Sequence, residues 1–273
     1  MSLSFPRLRW LPFLLLCAMP SCQSGETSAA DPNDDRAFYE RGMARIEAGE
    51  YEKSIPDFDE AIHRDPGNAM AYYGRGVARG ALEKYDAAIS DFNEALRLYP
   101  KLAEAYGNRG RAYYQKGDND KAIADFGEML RLEPKSAFAY YSRGLAWGKK
   151  GEHKKATRDF SDAIRLDPKH ALAFLNRGIV YHQSRDLDKA VGDYSAAIRL
   201  NSGLADAHCY RAAIFYDKQD YDKALADFNE ALRLNPKYAE AYGGRGLVYR
   251  KKGENVKAED DFATAKSLGK KRD

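Results

Sequence analysis

Apolar, small and polar residues recur along this chain on a 34-residue spacing, in seven consecutive copies that open at Asp35, Ala69, Ala103, Ala137, Ala171, Ala205 and Ala239 with no insertion between them. Repeat position four carries a ring in every copy (Phe38, Tyr72, Tyr106, Tyr140, Phe174, His208, Tyr242), and position eight carries Gly42, Gly76, Gly110, Gly144, Gly178, Ala212 and Gly246. Position twenty is Ala from Ala88 to Ala258, position twenty-four is aromatic from Phe58 to Phe262, and position twenty-seven is Ala except at Met129. A ring facing Gly or Ala lets two helices approach and interlock at interior density. The pattern predicts two helices per copy. Pro66, Pro100, Pro134, Pro168 and Pro236 end the second helix, and Gly49, Gly117, Gly151 and Gly253 supply left-handed caps between the two. A hairpin this small cannot bury its apolar face alone, so the copies must stack.

These columns resemble the tetratricopeptide repeat family over Asp35 to about Leu268. The resemblance implies an all-α, right-handed superhelical solenoid of seven antiparallel helix pairs whose concave groove binds peptides or protein segments. It names no partner. The expected organisation is a signal peptide over 1–21, a tether over 22–34, repeats at 35–68, 69–102, 103–136, 137–170, 171–204, 205–238 and 239–268, and a basic tail at 269–273.

Two columns depart from the family's common form. Position seven is Arg throughout (Arg41, Arg75, Arg109, Arg143, Arg177, Arg211, Arg245), and position twenty-three is Asp throughout (Asp57, Asp91, Asp125, Asp159, Asp193, Asp227, Asp261). At about 100° per residue both rows fall on the faces where the paired helices meet, away from the groove. They read as a structural ladder of partly buried ion pairs rather than as a grip on an acidic ligand. The last copy is capped by Glu259 and Lys266 where copy two has Ile89 and Leu96, and the first by Arg45, Ser54 and Arg64, with Pro56 expected near the start of its second helix.

The groove should be lined by positions two, five, six, nine and twelve of each first helix, and here the copies differ. Copies four and five present Phe138, Tyr141, Leu145, Leu172, Leu175 and Ile179, an expected apolar docking patch with Asn176 and His182 at its edge. Tyr73 lines the groove in copy two, copy three instead offers Glu104, Asn108, Arg111 and Tyr114, and copy six offers Tyr210 and Tyr216. Packing between adjacent first helices is the alternative for these residues. Tyr39 and Met43 stand where the family's chaperone-tail binders carry Lys and Asn, so that clamp is not expected; of the family's peptide-holding asparagines, Asn108 and Asn176 survive.

The N-terminal segment is of another kind. Arg7 and Arg9 precede the apolar run Trp10 to Met19, which is too short for the ~20 residues of a membrane span and reads as a secretory signal. Ala18-Met19-Pro20-Ser21-Cys22 resembles a bacterial lipoprotein box, which implies lipidation of Cys22 and attachment to an envelope membrane; cleavage after Ser28-Ala29-Ala30 is the competing reading. Net charge is +3 with both signs interleaved, which gives no footprint for nucleic acid. Cys209 is the single cysteine inside the array, so no disulfide is expected there. No His-Glu-x-x-His or Cys-x-x-Cys spacing occurs, and no catalytic residue, metal, cofactor or small-molecule substrate is expected.

Overall fold

The structure, a computed structural model, describes residues 35–269. The signal segment, Cys22, the tether and Lys270-Lys271-Arg272 lie outside the described residues.

Each copy folds into the two predicted helices. In the N-terminal unit α1 (Asp35–Glu47) pairs with α2 (Tyr51–Arg64), α3 (Ala69–Ala81) with α4 (Tyr85–Leu98) and α5 (Ala103–Gln115) with α6 (Asn119–Leu132), and copy four supplies α7 (Ala137–Lys149) and α8 (His153–Leu166). They continue with α9 (Ala171–Gln183) and α10 (Leu187–Leu200), α11 (Ala205–Asp217) and α12 (Tyr221–Leu234), and α13 (Ala239–Lys251) and α14 (Asn255–Gly269). Among the described residues there is no strand. Two compact units divide the array, one ending at Ala146 and the other beginning at Trp147.

The buried stripe of each second helix has helical spacing, as in α4, where Ala88, Asp91, Phe92, Ala95 and Leu96 are enclosed. Second helices stop two residues before the proline, at Arg64, Leu98, Leu132, Leu166 and Leu234, because the residue before a proline is pushed out of helical conformation. Pro56 departs from expectation. It is the sixth residue of α2, beyond the first turn, so its missing N–H removes a helical bond to Glu52. The turn between helices needs φ near +75°, and Gly49, Gly117, Gly151 and Gly253 supply it; Glu83, Arg185 and Gln219 take the same conformation at φ 60–63° without glycine's freedom.

In the N-terminal unit the rings of Phe58, Phe92 and Phe126 are fully buried and set the helix spacing. A Cβ on Gly42 would lie 2.8 Å from Phe58, and one on Gly74 of the next hairpin 2.5 Å from the same ring. Phe58 is thus wedged between α1 and α3. In the C-terminal unit Tyr194 and Phe228 are buried in the same way, and Tyr194 presses on Gly178. Each end of the array covers a ring with arginine: Arg41 and Arg64 lie 4.8 and 4.7 Å from the Phe38 centroid, and Arg250 lies 4.5 Å from that of Phe262. Glu259 and Lys266 are exposed on α14.

The interlock predicts opposite outcomes for one chemical change. Gly76→Ala places a methyl 2.7 Å from Phe92 Cε1 and should destabilise the chain by about 1–3 kcal/mol despite the better helix former. Gly192→Ala, on the exposed face of α10 with nothing within 4 Å, should stabilise by about 0.5–1 kcal/mol. Urea melts of the two variants check this; shifts of the same sign would contradict it.

Candidate functional site

The arginine and aspartate columns meet inside the hairpins. In the N-terminal unit Arg41 Nε donates to Asp57 at 2.8 Å, Arg75 Nη2 donates to Asp91 at 2.7 Å, and Arg109 forks onto both oxygens of Asp125 at 2.7 and 2.8 Å. In the C-terminal unit Arg177, Arg211 and Arg245 fork onto Asp193, Asp227 and Asp261 at 2.8–2.9 Å. Arg143 and Asp159 fall one in each unit. These carboxylates are buried while the guanidinium edges reach water.

Each of these arginines beyond the first copy has a second arm that the column reading missed. It reaches position twenty-five of the preceding copy: Arg75 to Asp59 at 2.6 Å, Arg109 to Asn93 at 2.7 Å, Arg177 to Ser161 at 2.9 Å, Arg211 to Ser195 at 2.9 Å, and Arg245 to Asn229 at 2.8 Å. The ladder therefore ties consecutive hairpins together as well as the two helices of one hairpin. A signal was present, since column twenty-five holds a short hydrogen-bond acceptor in each of these copies, Gly127 being the gap. Position eleven works beside it. Arg45 and Arg79 add a second cation to Asp57 and Asp91 at 2.6 and 2.7 Å, and in later copies a lysine sits over a ring there, as Lys155 over Trp147 at 4.4 Å.

The same carboxylate is held differently along the ladder. Burial pushes Asp125 above its ordinary value, outweighing the bonds from Arg109. At Asp227 burial acts in the same direction, but hydrogen bonds from Arg211 and from His208, whose Nδ1 lies 3.0 Å away, hold it below that value. His208 thus replaces the ring of column four with a further donor to the ladder.

The expected apolar patch is enclosed rather than open. Leu145 and Ile179 are 0% and 1% exposed, and Tyr141 and Leu175 are buried with them. Leu172 is exposed, while Phe138 is half-buried, edge-on to Phe126 at 6.3 Å and beneath the Arg111 guanidinium at 5.7 Å. Tyr73, Tyr114, Tyr210, Asn108 and Asn176 are buried too. Asn108 donates to the Tyr73 hydroxyl at 3.0 Å and Asn176 to the Leu172 carbonyl at 2.8 Å, so both amides serve internal bonds. Arg111 is enclosed with them, and burial pulls its guanidinium down to about 10. Side chains of this size at positions five and nine fill the inner surface, which corrects the reading of copies four and five as an exposed docking surface. Cys209 is fully buried, and burial pushes its thiol up to about 12, leaving it protonated and inert at neutral pH.

An opening does exist in the C-terminal unit. A cleft of about 430 Å³ is lined by His182 and Gln183 of α9, Arg185 in the turn that follows, Ala213, Tyr216 and Asp217 of α11, Phe228 of α12, and Gly244 and Leu247 of α13. His182 and Tyr216 were among the expected groove residues; the rest were not. The missed signal was volume. Column nine holds Leu145 and Ile179 in copies four and five but Ala213 in copy six, and copy seven has Gly243 and Gly244 where copy six has Cys209 and Tyr210. Small residues leave the space, and Leu247 is 41% exposed beside it. His182 stands edge-on to Tyr194 at 6.4 Å, with its buried Nδ1 lacking a hydrogen-bond partner. Burial lowers its pKa below the ordinary histidine value, so a neutral imidazole faces the cleft at pH 7. Apolar floor, neutral imidazole and charges of both signs suit recognition of a chain segment.

The sequence matches the profile described as tetratricopeptide repeat over residues 39–103, 73–137, 108–156 and 141–205, and that described as TPR repeat over 212–253. No curated protein sequence matches the chain. Among solved structures, a tetratricopeptide repeat protein from Parabacteroides merdae is 21% identical, covering 86% of this chain and 93% of its own, with a TM-score of 0.67. YrrB, described as a TPR protein with an unusual peptide-binding site, is 23% identical over 67% of this chain and 95% of its own, TM-score 0.57. A chain of the APC/C hetero-tetramer Cut9-Hcn1 is 19% identical over 80% of this chain, TM-score 0.66, and this chain spans 43% of it. Identities this low carry the fold alone.

The two-armed ladder predicts that Arg177→Ala costs about 2–3 kcal/mol, because it strands a buried carboxylate and unties two hairpins. Arg177→Lys should recover little of this, since one ammonium cannot fork onto Asp193 while reaching Ser161. Denaturant melts that show a fully rescued lysine variant would refute the staple.

A second outcome concerns pH. The folded pKa of Asp227 is depressed, so its contribution is present above the unfolded value of 3.8 and lost as pH falls through the folded one; Asp125, raised, has the opposite sign. Asp227→Asn should therefore cost more than Asp125→Asn at pH 7, and the gap should shrink as the pH falls below about 4. Urea melts at pH 7 and pH 3 measure it.

Proposed function

The chain belongs to the tetratricopeptide repeat family, and on that premise we propose that it is a non-catalytic scaffold that holds a protein or peptide segment on the inner face of its C-terminal unit. The observation that carries this is the cleft across the first helices α9, α11 and α13, which joins apolar floor to polar rim. YrrB, with its described peptide-binding site, supports the reading by analogy of fold. The cleft lining offers no nucleophile paired with a base, because Cys209 is enclosed and protonated away from it. The docking centre in this proposal is the cleft of copies five to seven, in place of the enclosed patch of copies four and five.

The N-terminal segment supports a place for this scaffold in the bacterial envelope. The basic flank, the apolar run and Ser21-Cys22 support export, cleavage before Cys22 and lipid attachment there, which would anchor the array to a membrane through the tether 22–34. The poor fit of Met19 and Pro20 to a lipoprotein box favours one second reading, a soluble periplasmic adaptor released by cleavage nearer Ala30.

Two measurements test the proposal in cells. A photo-crosslinking amino acid at position 247 should yield a discrete adduct with another protein, whereas one at Lys223, exposed and outside the cleft lining, should yield none. Adducts from 223 alone would place the partner elsewhere. Radiolabelled palmitate should enter the chain and be lost with Cys22→Ser, together with membrane association; a mature terminus at Asp31 would establish the soluble adaptor instead.

A further inference from the structure

We propose that the cleft of the C-terminal unit selects an extended peptide segment of mixed charge, seating an acidic side chain against Arg185, a basic one against Asp217 and an apolar one on Ala213, Phe228 and Leu247. This rests on the scaffold reading above and gives its partner a chemistry. The charges are the starting point. Arg185 and Asp217 are exposed in the cleft lining, and neither takes an ion pair among the described residues, although the charged residues beside them do: Asp186 pairs with Lys189 at 2.5 Å, and Lys218 pairs with Asp188. The two unpaired charges of opposite sign flank one opening, on successive hairpins.

Asp217 also stands where a carboxylate weakens its own helix. It is the last residue of α11, beside the negative end of the helix dipole. The same position holds Ala81, Gln115, Lys149, Gln183 and Lys251 in copies two to five and seven; α1 of copy one also ends on an acid, Glu47, but with Arg45 in its last turn, whereas α11 has no basic residue there to compensate. A cation brought by a ligand satisfies both the carboxylate and the helix end. The apolar seat comes from the same copy, because Ala213 opens space that Leu145 and Ile179 fill in theirs, and Leu247 is left half-exposed at its edge. Charges of both signs disfavour a polyphosphate ligand, which would need a basic stripe. Open along the three helices, the cleft suits a continuing chain better than a small enclosed zwitterion.

The test is selection of a random peptide library displayed on phage against the full-length protein, followed by titration of synthetic copies of the enriched peptides. The expected sequences combine a basic, an acidic and a large apolar residue. Binding should weaken about tenfold or more for Asp217→Lys and for Arg185→Glu, and return when the matching charge in the peptide is reversed. Asp217→Lys should raise rather than lower the melting temperature, because a cation suits that helix end, so lost binding cannot be ascribed to unfolding. Ala213→Leu should abolish binding by filling the seat. Peptides bound equally well by all three variants would overturn this inference and leave the scaffold reading standing with another surface. Peptides sensitive to Ala213→Leu but indifferent to both charges would overturn the charge selection. No enriched peptide at all would overturn the peptide-binding reading together with this one.

Discussion

A ring packed on the bare backbone of Gly42, Gly76, Gly110, Gly178 or Gly246 sets the distance between the two helices of its hairpin, Ala212 takes that place in copy six, and the polar ladder forms beside this close contact. Positions seven and eight are neighbours on the first helix, as are twenty-three and twenty-four on the second. Once Phe92 is seated on Gly76, Arg75 and Asp91 are carried into hydrogen-bonding range beside it, and the same adjacency recurs at Tyr194, Gly178, Arg177 and Asp193. Each glycine inside a first helix costs about 1 kcal/mol of helix propensity against alanine, which the close ring contact must offset. The buried aspartate would be costlier still if left alone; a forked arginine with an aqueous edge makes it tolerable.

Between consecutive hairpins the same parts act a second time. Phe58 touches Gly42 of its own copy and Gly74 of the next, while the second arm of Arg75 returns to Asp59. One apolar and one polar contact thus fix that step of the stack. Where the array ends, arginine stands in for the missing neighbour, as Arg250 does over Phe262. Solenoid stability depends on such nearest-neighbour interfaces.

The fold was legible because its causes are periodic. Seven readings of each column average out local exceptions, and helix ends follow from proline and glycine chemistry that acts within a few residues. Even there Glu83, Arg185 and Gln219 show that glycine marks only some of the left-handed turns. The candidate site was legible only in part, because it is made by what breaks the period. Position nine lies on the inner face in every copy, yet Leu145 and Ile179 are enclosed while Leu247 is not. Whether such a residue is covered depends on the volumes of side chains one copy away, and a helical wheel drawn for a single helix does not contain them. Reading differences in volume down columns five, six and nine would have found Ala213, Gly243 and Gly244.

Copy six concentrates the departures from the repeat. It replaces the column-four ring with His208, leaves Ala213 where its predecessors have Leu145 and Ile179, and ends its first helix on Asp217. The first is compensated inside the fold, since His208 gains a bond to Asp227 and joins the ladder. The other two have no such compensation among the described residues. An unfilled space and an acidic helix end both lower stability, and both open onto the same cleft. Sequences under selection for packing alone would correct either with one substitution, to Leu at 213 or Lys at 217, both already used at the equivalent position of another copy. That two uncorrected defects share one opening is what a surface kept for a ligand requires, because a site must leave unsatisfied the interactions its partner will make.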